Sequence, residues 1–335
     1  MKKPNDLTPE QLIVTEATCH NRLKKVPVEL LTEENLTVLI LGKSTCLHMA
    51  AESRQLKHVP PSILCAKNLN IHGEHGFTVL HTAATFGSLD QVPRAELNTF
   101  NLTQRDDING TPFHRAAHFG FLKQLPPELL TEENLNIQRD SGRSVLFVAA
   151  LHGHLDQVPA VCLTDTSLMV ADNEGNTPLH VAAAKGFLRQ LPHSVIKPHL
   201  FTMENEQGLT AALVAIINGH FQQFPRDLQP AILNQPDQLG NTALHLAVAA
   251  GRLDKIPPAL LTEEYLGVRN DAGQTVFHAA ACFGHLNQLP ASMLTESNLL
   301  LTDKCGLTAT DMAVAQGHAD QVPLPFGELQ PHRAN

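Results

Sequence analysis

The sequence has no tryptophan and a single tyrosine, Tyr265, among its 335 residues. An interface anchored on Tyr and Trp is therefore not available to it, and any partner surface must use other side chains. Basic residues are also few. The 24 Lys and Arg stand against 33 Asp and Glu, for a formal net charge of −9 with the 19 His neutral. This argues against a nucleic-acid surface, which rests on clustered Lys and Arg, and against a basic patch for an anionic membrane. Long apolar runs are missing too. Near the N-terminus only Leu12-Ile13-Val14 qualifies, whereas a signal peptide needs roughly 7–15 apolar residues and a membrane span roughly 20. The expectation is a soluble, cytoplasmic protein. The six cysteines, Cys19, Cys46, Cys65, Cys162, Cys282 and Cys305, form no CxxC pair and no close His-Cys spacing. Neither a zinc ribbon nor a small disulfide scaffold is expected, and reduced thiols suit the cytoplasm.

What the sequence does have is a repeat. The stretch Thr177-Pro178-Leu179-His180-Val181-Ala182-Ala183-Ala184-Lys185-Gly186 recurs in altered form along the chain, with His48, His81, His114, Phe147, His180, Leu213, His245, His278 and Asp311 in the His slot. The successive steps are 33 residues, with a single 32 between Leu213 and His245. A second marker, an apolar residue followed by proline, falls at Pro27, Pro60, Pro93, Pro126, Pro159, Pro192, Pro225, Pro257, Pro290 and Pro323. It keeps the same step and shortens in the same unit. A third, Leu-Thr-Glu-Glu-Asn-Leu, occupies Leu31–Leu36 and Leu130–Leu135, and recurs with Tyr265 for Asn in Leu261–Leu266. Fixed-period self-similarity of this length signals a repeat architecture.

The pattern Gly-x-Thr-Pro-Leu-His-x-Ala-Ala-x-x-Gly-His, best kept at Gly175–Gly186, Gly240–Gly251 and Gly273–His285, resembles that of ankyrin-repeat proteins. The resemblance covers roughly residues 8–326. It implies an all-α solenoid, here of about ten ankyrin-type repeats of about 33 residues with short loop tips. It also implies a protein-binding role without catalysis, and a local, structural hydrogen-bonding role for the Leu-His imidazole. Elementary physics supports the helical reading. Thr177 can cap a helix whose first residue is Pro178, and Leu179, Ala182 and Ala183 then follow on one narrow face of small residues. Gly186 supplies a positive-φ stop.

The departure from the family lies in the second helix. Every unit places Pro about six residues after the turn Gly, as in Gly153-His154-Leu155-Asp156-Gln157-Val158-Pro159. Proline within a helix costs roughly 3 kcal/mol, so the spacing predicts short turns built around the proline. One ends before it, one begins at Pro126-Pro127-Glu128, and a third is capped by Thr131 with Glu132 and Glu133 at its positive end. At the N-terminus, Thr8 caps a helix read through about Asn21, with Gln11 closing a capping box. The expected organisation is a single domain over 1–335: an N-terminal cap unit at 8–41, eight repeats at 42–305, a C-terminal cap unit at 306–326 and a tail at 327–335.

Three features invite chemistry. Val38-Leu39-Ile40-Leu41 followed by Gly42-Lys43-Ser44 resembles the end of a phosphate-binding loop, but the Gly needed five residues earlier is Thr37. The loop is the least favoured function, nucleotide binding. The repeat-slot histidines lie one repeat apart, roughly 10 Å by helix packing, too far to converge on a metal. The densest cluster, His72-Gly73-Glu74-His75, lacks the i, i+4 pair of a zinc helix. Glu132-Glu133 and Glu263-Glu264 sit at helix starts, where negative charge is favourable. No catalytic residue, cofactor or metal ligand is assigned.

The family resemblance implies contact through the loop tips and the two residues before the turn Gly. These positions nominate Phe77, Phe86, Ile108, His118, Phe119, Arg143, His152 and Lys185 as partner-binding residues. Exposed aromatics in adjacent units make a patch, unless the broken second helix leaves space that the Phe side chains fill. The sequence thus reads as a monomeric, non-catalytic scaffold or adaptor for a protein partner. A regulatory or inhibitory effector delivered into a host is the alternative.

Overall fold

A computed structural model describes residues 7–40 and 43–323. The expected tail at 327–335, the last residues of the C-terminal cap, and Leu41 and Gly42 lie outside the described residues. No strand forms among the described residues, and extended pairing is limited to isolated bridges such as Gln138 with Ser144 and Glu204 with Thr210. The first helix begins with the expected box: the Thr8 hydroxyl accepts the Gln11 amide, and the Gln11 side chain accepts the Thr8 amide, both at 3.2 Å. It runs Pro9–Cys19, shorter than its expected end, because Asn21 turns to φ 56°.

Each repeat opens with a capped helix. Helices Val79–Phe86, Pro112–Phe119, Val145–His152, Pro178–Lys185 and Val276–Phe283 all end on a left-handed glycine. The chain divides into two units, one up to Asn173 and one from Glu174. Within the first, Cys46–Glu52, Val79–Phe86, Pro112–Phe119 and Val145–His152 pack in succession. Within the second, Pro178–Lys185, Ala211–Ile217, Ala243–Ala249, Val276–Phe283 and Ala309–Ala315 do the same. Small side chains make this close approach possible. Ala83, Ala84, Ala116, Ala117, Ala280 and Ala281 are wholly buried. Each unit is an all-α repeat solenoid, its core continued by Leu56, Leu89 and Leu122 in the first and Leu188, Phe221 and Leu286 in the second.

Nine of the ten prolines do what their spacing predicts. Pro27, Pro93, Pro126, Pro159, Pro192, Pro257 and Pro290 each immediately precede a three-residue 3-10 turn. Pro60 and Pro225 open hydrogen-bonded turns, accepting from Ile63 and Leu228 at 2.9 and 3.0 Å. Pro323 is the last described residue and follows the turn Ala319–Gln321. The usual second helix is thereby replaced by turns such as Leu122–Gln124 and Pro127–Leu129, then the short helix Glu132–Leu135. Thr131 caps that helix, accepting from the Asn134 amide at 3.2 Å. The Asn134 side chain reaches back to the Leu129 carbonyl at 2.8 Å, tying the third turn to the second, and Asn35, Asn68, Asn101 and Asn298 make the equivalent bond.

Glutamines ahead of the proline join neighbouring repeats, Gln124 two residues before Pro126 and Gln55 five before Pro60. Gln124 accepts the Leu89 amide at 3.1 Å and donates to the Gly87 carbonyl at 3.0 Å, while Gln55 makes the same pair with Leu23 and Thr18. Gln124→Ala is expected to lower stability by about 1–2 kcal/mol in urea unfolding, because both backbone groups lose their partner. An unchanged midpoint would show that water replaces the bridge without cost.

Candidate functional site

The inner end of each first helix is organised by the repeat histidine. In the second repeat of the stack, His81 Nδ1 accepts the Thr78 amide at 3.1 Å and its own amide donates to the Thr78 hydroxyl at 3.3 Å. An acceptor Nδ1 leaves the proton on Nε2, which donates to the Gly110 carbonyl of the next repeat at 3.2 Å. His48, His114, His180, His245 and His278 repeat this arrangement, reaching Phe77, Arg143, Leu209, Gln274 and Leu307 at 3.0–3.3 Å. Burial pushes His81 and His114 down to about 4, and lowers His48, His245 and His278 from their ordinary value. Asp311 keeps the cap with a carboxylate oxygen, accepting the Thr308 amide at 2.9 Å, but has no second N–H to send onward.

The loop tips are built around a further series that the sequence reading passed over. Asp106, Asn205, Asp237, Asn270 and Asp303 each accept two amides of their own tip at 2.7–3.1 Å. They stand eight residues before the His slot, a spacing visible in the sequence. Such side-chain turns are the local work of Asp and Asn.

Of the nominated partner-binding residues, Phe86, Ile108 and Phe119 are exposed, at 42%, 47% and 41%. Phe283, at the position equivalent to Phe86 and Phe119, is 54% exposed. The turns that replace the second helix therefore do not cover these rings. Phe77, nominated as a tip residue for a partner, is engaged within the fold. Its ring is half-buried, stacked on His81 with centroids 5.7 Å apart, and the Arg115 guanidinium lies 4.2 Å from its centroid. His118 and Phe119 meet at 4.3 Å, and His118 stacks on His152 at 3.8 Å. Burial, then Arg115 and Arg139, hold the His118 ring below its ordinary pKa. Arg143 pairs with the buried carboxylate of Asp172 at 3.2 Å and lies over Phe147. Lys185 is exposed at the end of its helix in the second unit.

The other chemical candidates resolve into turn structure. The Lys43 amide donates to the Ile40 carbonyl at 3.1 Å and the Ile40 amide to the Ser44 carbonyl at 3.0 Å, and the Lys43 ammonium pairs with Glu74 at 3.1 Å. Gly42 itself lies outside the described residues. His72 Nδ1 bonds the Gly76 carbonyl at 2.8 Å. Among the described residues, no three His, Cys, Asp or Glu side chains are grouped so as to hold a metal. No described helix is long and apolar enough to cross a membrane.

Capped helices stacked through alanine, with a ring bond reaching into the repeat ahead, define a helical repeat protein. Residues 113–191 match the family model of ankyrin repeats, in three copies, which supports an ankyrin-repeat architecture. No curated protein matches the sequence. Ankyrin repeats are in general protein–protein interaction modules, and proteins built from them are typically non-catalytic.

Proposed function

We propose that the chain is a non-catalytic scaffold or adaptor, a cytoplasmic monomer that binds a protein partner through loop tips and first-helix ends of its N-terminal unit. The observation that carries this reading is the exposure of Phe86 and Phe119, alike in position on successive helices, beside exposed Ile108. Apolar side chains held on a rigid frame and turned to solvent are the usual anchors of a binding patch. Phe77 supports the patch from below, through Arg115, and is not itself an anchor.

The test is affinity capture from the native cell with a double change, Ile108→Ser and Phe119→Ser. Capture of the wild-type partner should be lost, while stability moves by roughly 0.5 kcal/mol or less, as exposed substitutions do. Early melting with capture retained would make these side chains part of the core and overturn the assignment.

A further inference from the structure

The Asp/Asn series is broken at Ile40, Gly73 and Arg139, and of these only the last puts a charge in the slot. Arg139 occupies the slot that holds Asp106, Asp172, Asn205, Asp237, Asn270 and Asp303 in six other tips. The backbone of the loop is conventional, with the Arg139 amide bonded to the Arg143 carbonyl at 3.2 Å and the Gly142 amide to Arg139 at 2.8 Å. A guanidinium, however, has donors and no acceptor. It cannot take the two tip amides that a carboxylate or carboxamide takes elsewhere. Arg139 Nε and Ser141 Oγ are both buried without a hydrogen-bond partner.

The charge around this loop is also unbalanced. Arg115 and Arg143 each pair with a carboxylate of their own, Asp106 and Asp172, at 3.2 Å, and both carboxylates are only 1% exposed. Arg105 gives its Nη1 to the carbonyls of Asn109 and Gln138. The nearby Asp140 carboxylate is engaged by the Asn109 amide group. Arg139 has no carboxylate of its own: burial, then Arg143 and Arg115, lower its pKa from the ordinary value against a smaller opposing pull from Asp106. A small crevice beside it is lined by Ile108, Arg115, His118, Val148 and Asp106, whose carboxylate is already taken by Arg115 and two tip amides, with exposed Phe119 against His118. Such a cation, held in place with donors unspent, is suited to a planar carboxylate.

We propose that a carboxylate from an acidic segment of the protein partner pairs with the Arg139 guanidinium at the mouth of this crevice, while a neighbouring apolar side chain of that segment covers Ile108 and Phe119. The inference rests on the protein-binding reading above and names the chemistry of the partner. The local surplus is small and the chain carries −9 overall, which fits one carboxylate beside an apolar group and does not fit a polyanion.

The probe is a fluorescein-labelled eight-residue peptide of alternating glutamate and leucine, titrated with the full chain by fluorescence anisotropy. Saturable binding that weakens with salt is expected. Arg139→Asp should weaken it by about tenfold or more, without lowering the melting temperature, because Asp restores the acceptor found in the sister tips. Arg94→Asp, which alters an exposed pair with Glu128 elsewhere, should leave binding unchanged. The proposal fails if the wild type shows no saturable binding, if Arg139→Asp binds equally well, if a lysine–leucine peptide binds as tightly, or if a single-stranded oligonucleotide binds more tightly through Arg139. Native-partner capture separates the two readings. Loss with Ile108→Ser and Phe119→Ser but not with Arg139→Asp overturns the carboxylate seat alone. Arg139-dependent peptide binding, with capture indifferent to both variants, overturns the partner-binding role of this face and leaves the seat standing.

Discussion

Acidification from pH 7 to pH 4.5 is expected to remove about 5 kcal/mol of stability through His81 and His114 alone. Both rings are held neutral by burial, with pKa values pushed down to about 4 from 6.5. Between those values the unfolded chain binds a proton at each site that the folded chain refuses. Stability is therefore full above about pH 6.5, falls as the pH drops, and levels off below about pH 4 as the folded state protonates in turn. The loss at pH 4.5 is about 2.5 kcal/mol per ring. His48, His245 and His278 shift in the same direction and add to it. Urea unfolding at the two pH values measures the loss, and His114→Leu identifies its source. Leucine already fills this slot at Leu213, under the Thr210 cap. The variant should be weaker at pH 7 but lose about 2.5 kcal/mol less on acidification. A loss identical to that of the wild type would assign the acid sensitivity to the carboxylates.

Gly142→Ala should cost about 3 kcal/mol, from two sources. The residue sits at φ +73°, and a Cβ there would meet the Asn173 side-chain oxygen, which can swing away, and lie 2.7 Å from the Asn173 backbone nitrogen, which cannot. Gly208→Ala provides the comparison, since its φ is +70° and no atom lies within 4 Å of the added carbon. It should cost only the left-handed penalty of roughly 1–2 kcal/mol. The difference between the two melting curves measures how tightly one tip presses on the next. Equal losses would mean that the neighbouring tip moves aside freely.

Much of the fold was legible because certain residues act locally. Proline fixes its own φ and lacks a donor, so ten prolines in register announced a broken second helix before any coordinates. Thr before Pro and His announced caps for the same reason. The candidate site was less legible. Phe77 looked like a free tip because its clamp, Arg115, lies 38 residues further on, and no periodicity links the two. The Asp and Asn tip series escaped notice because polar residues in loops are expected anyway. Without that series, Arg139 was one arginine among many. Its meaning depends on what its counterparts do, and only the tip geometry shows that.

The histidine bond also has a direction. Each ring caps its own helix and sends its remaining proton forward, to a carbonyl 29 residues later. Removing His81 thus leaves the tip before its own helix anchored, since the Phe77 carbonyl is still held by His48, and releases Gly110 in the tip ahead. Within the N-terminal unit a defect is handed toward the C-terminus and not back. The tip that carries Ile108 is consequently governed from the preceding repeat, and the surface offered to a partner can be loosened by a residue that touches none of it.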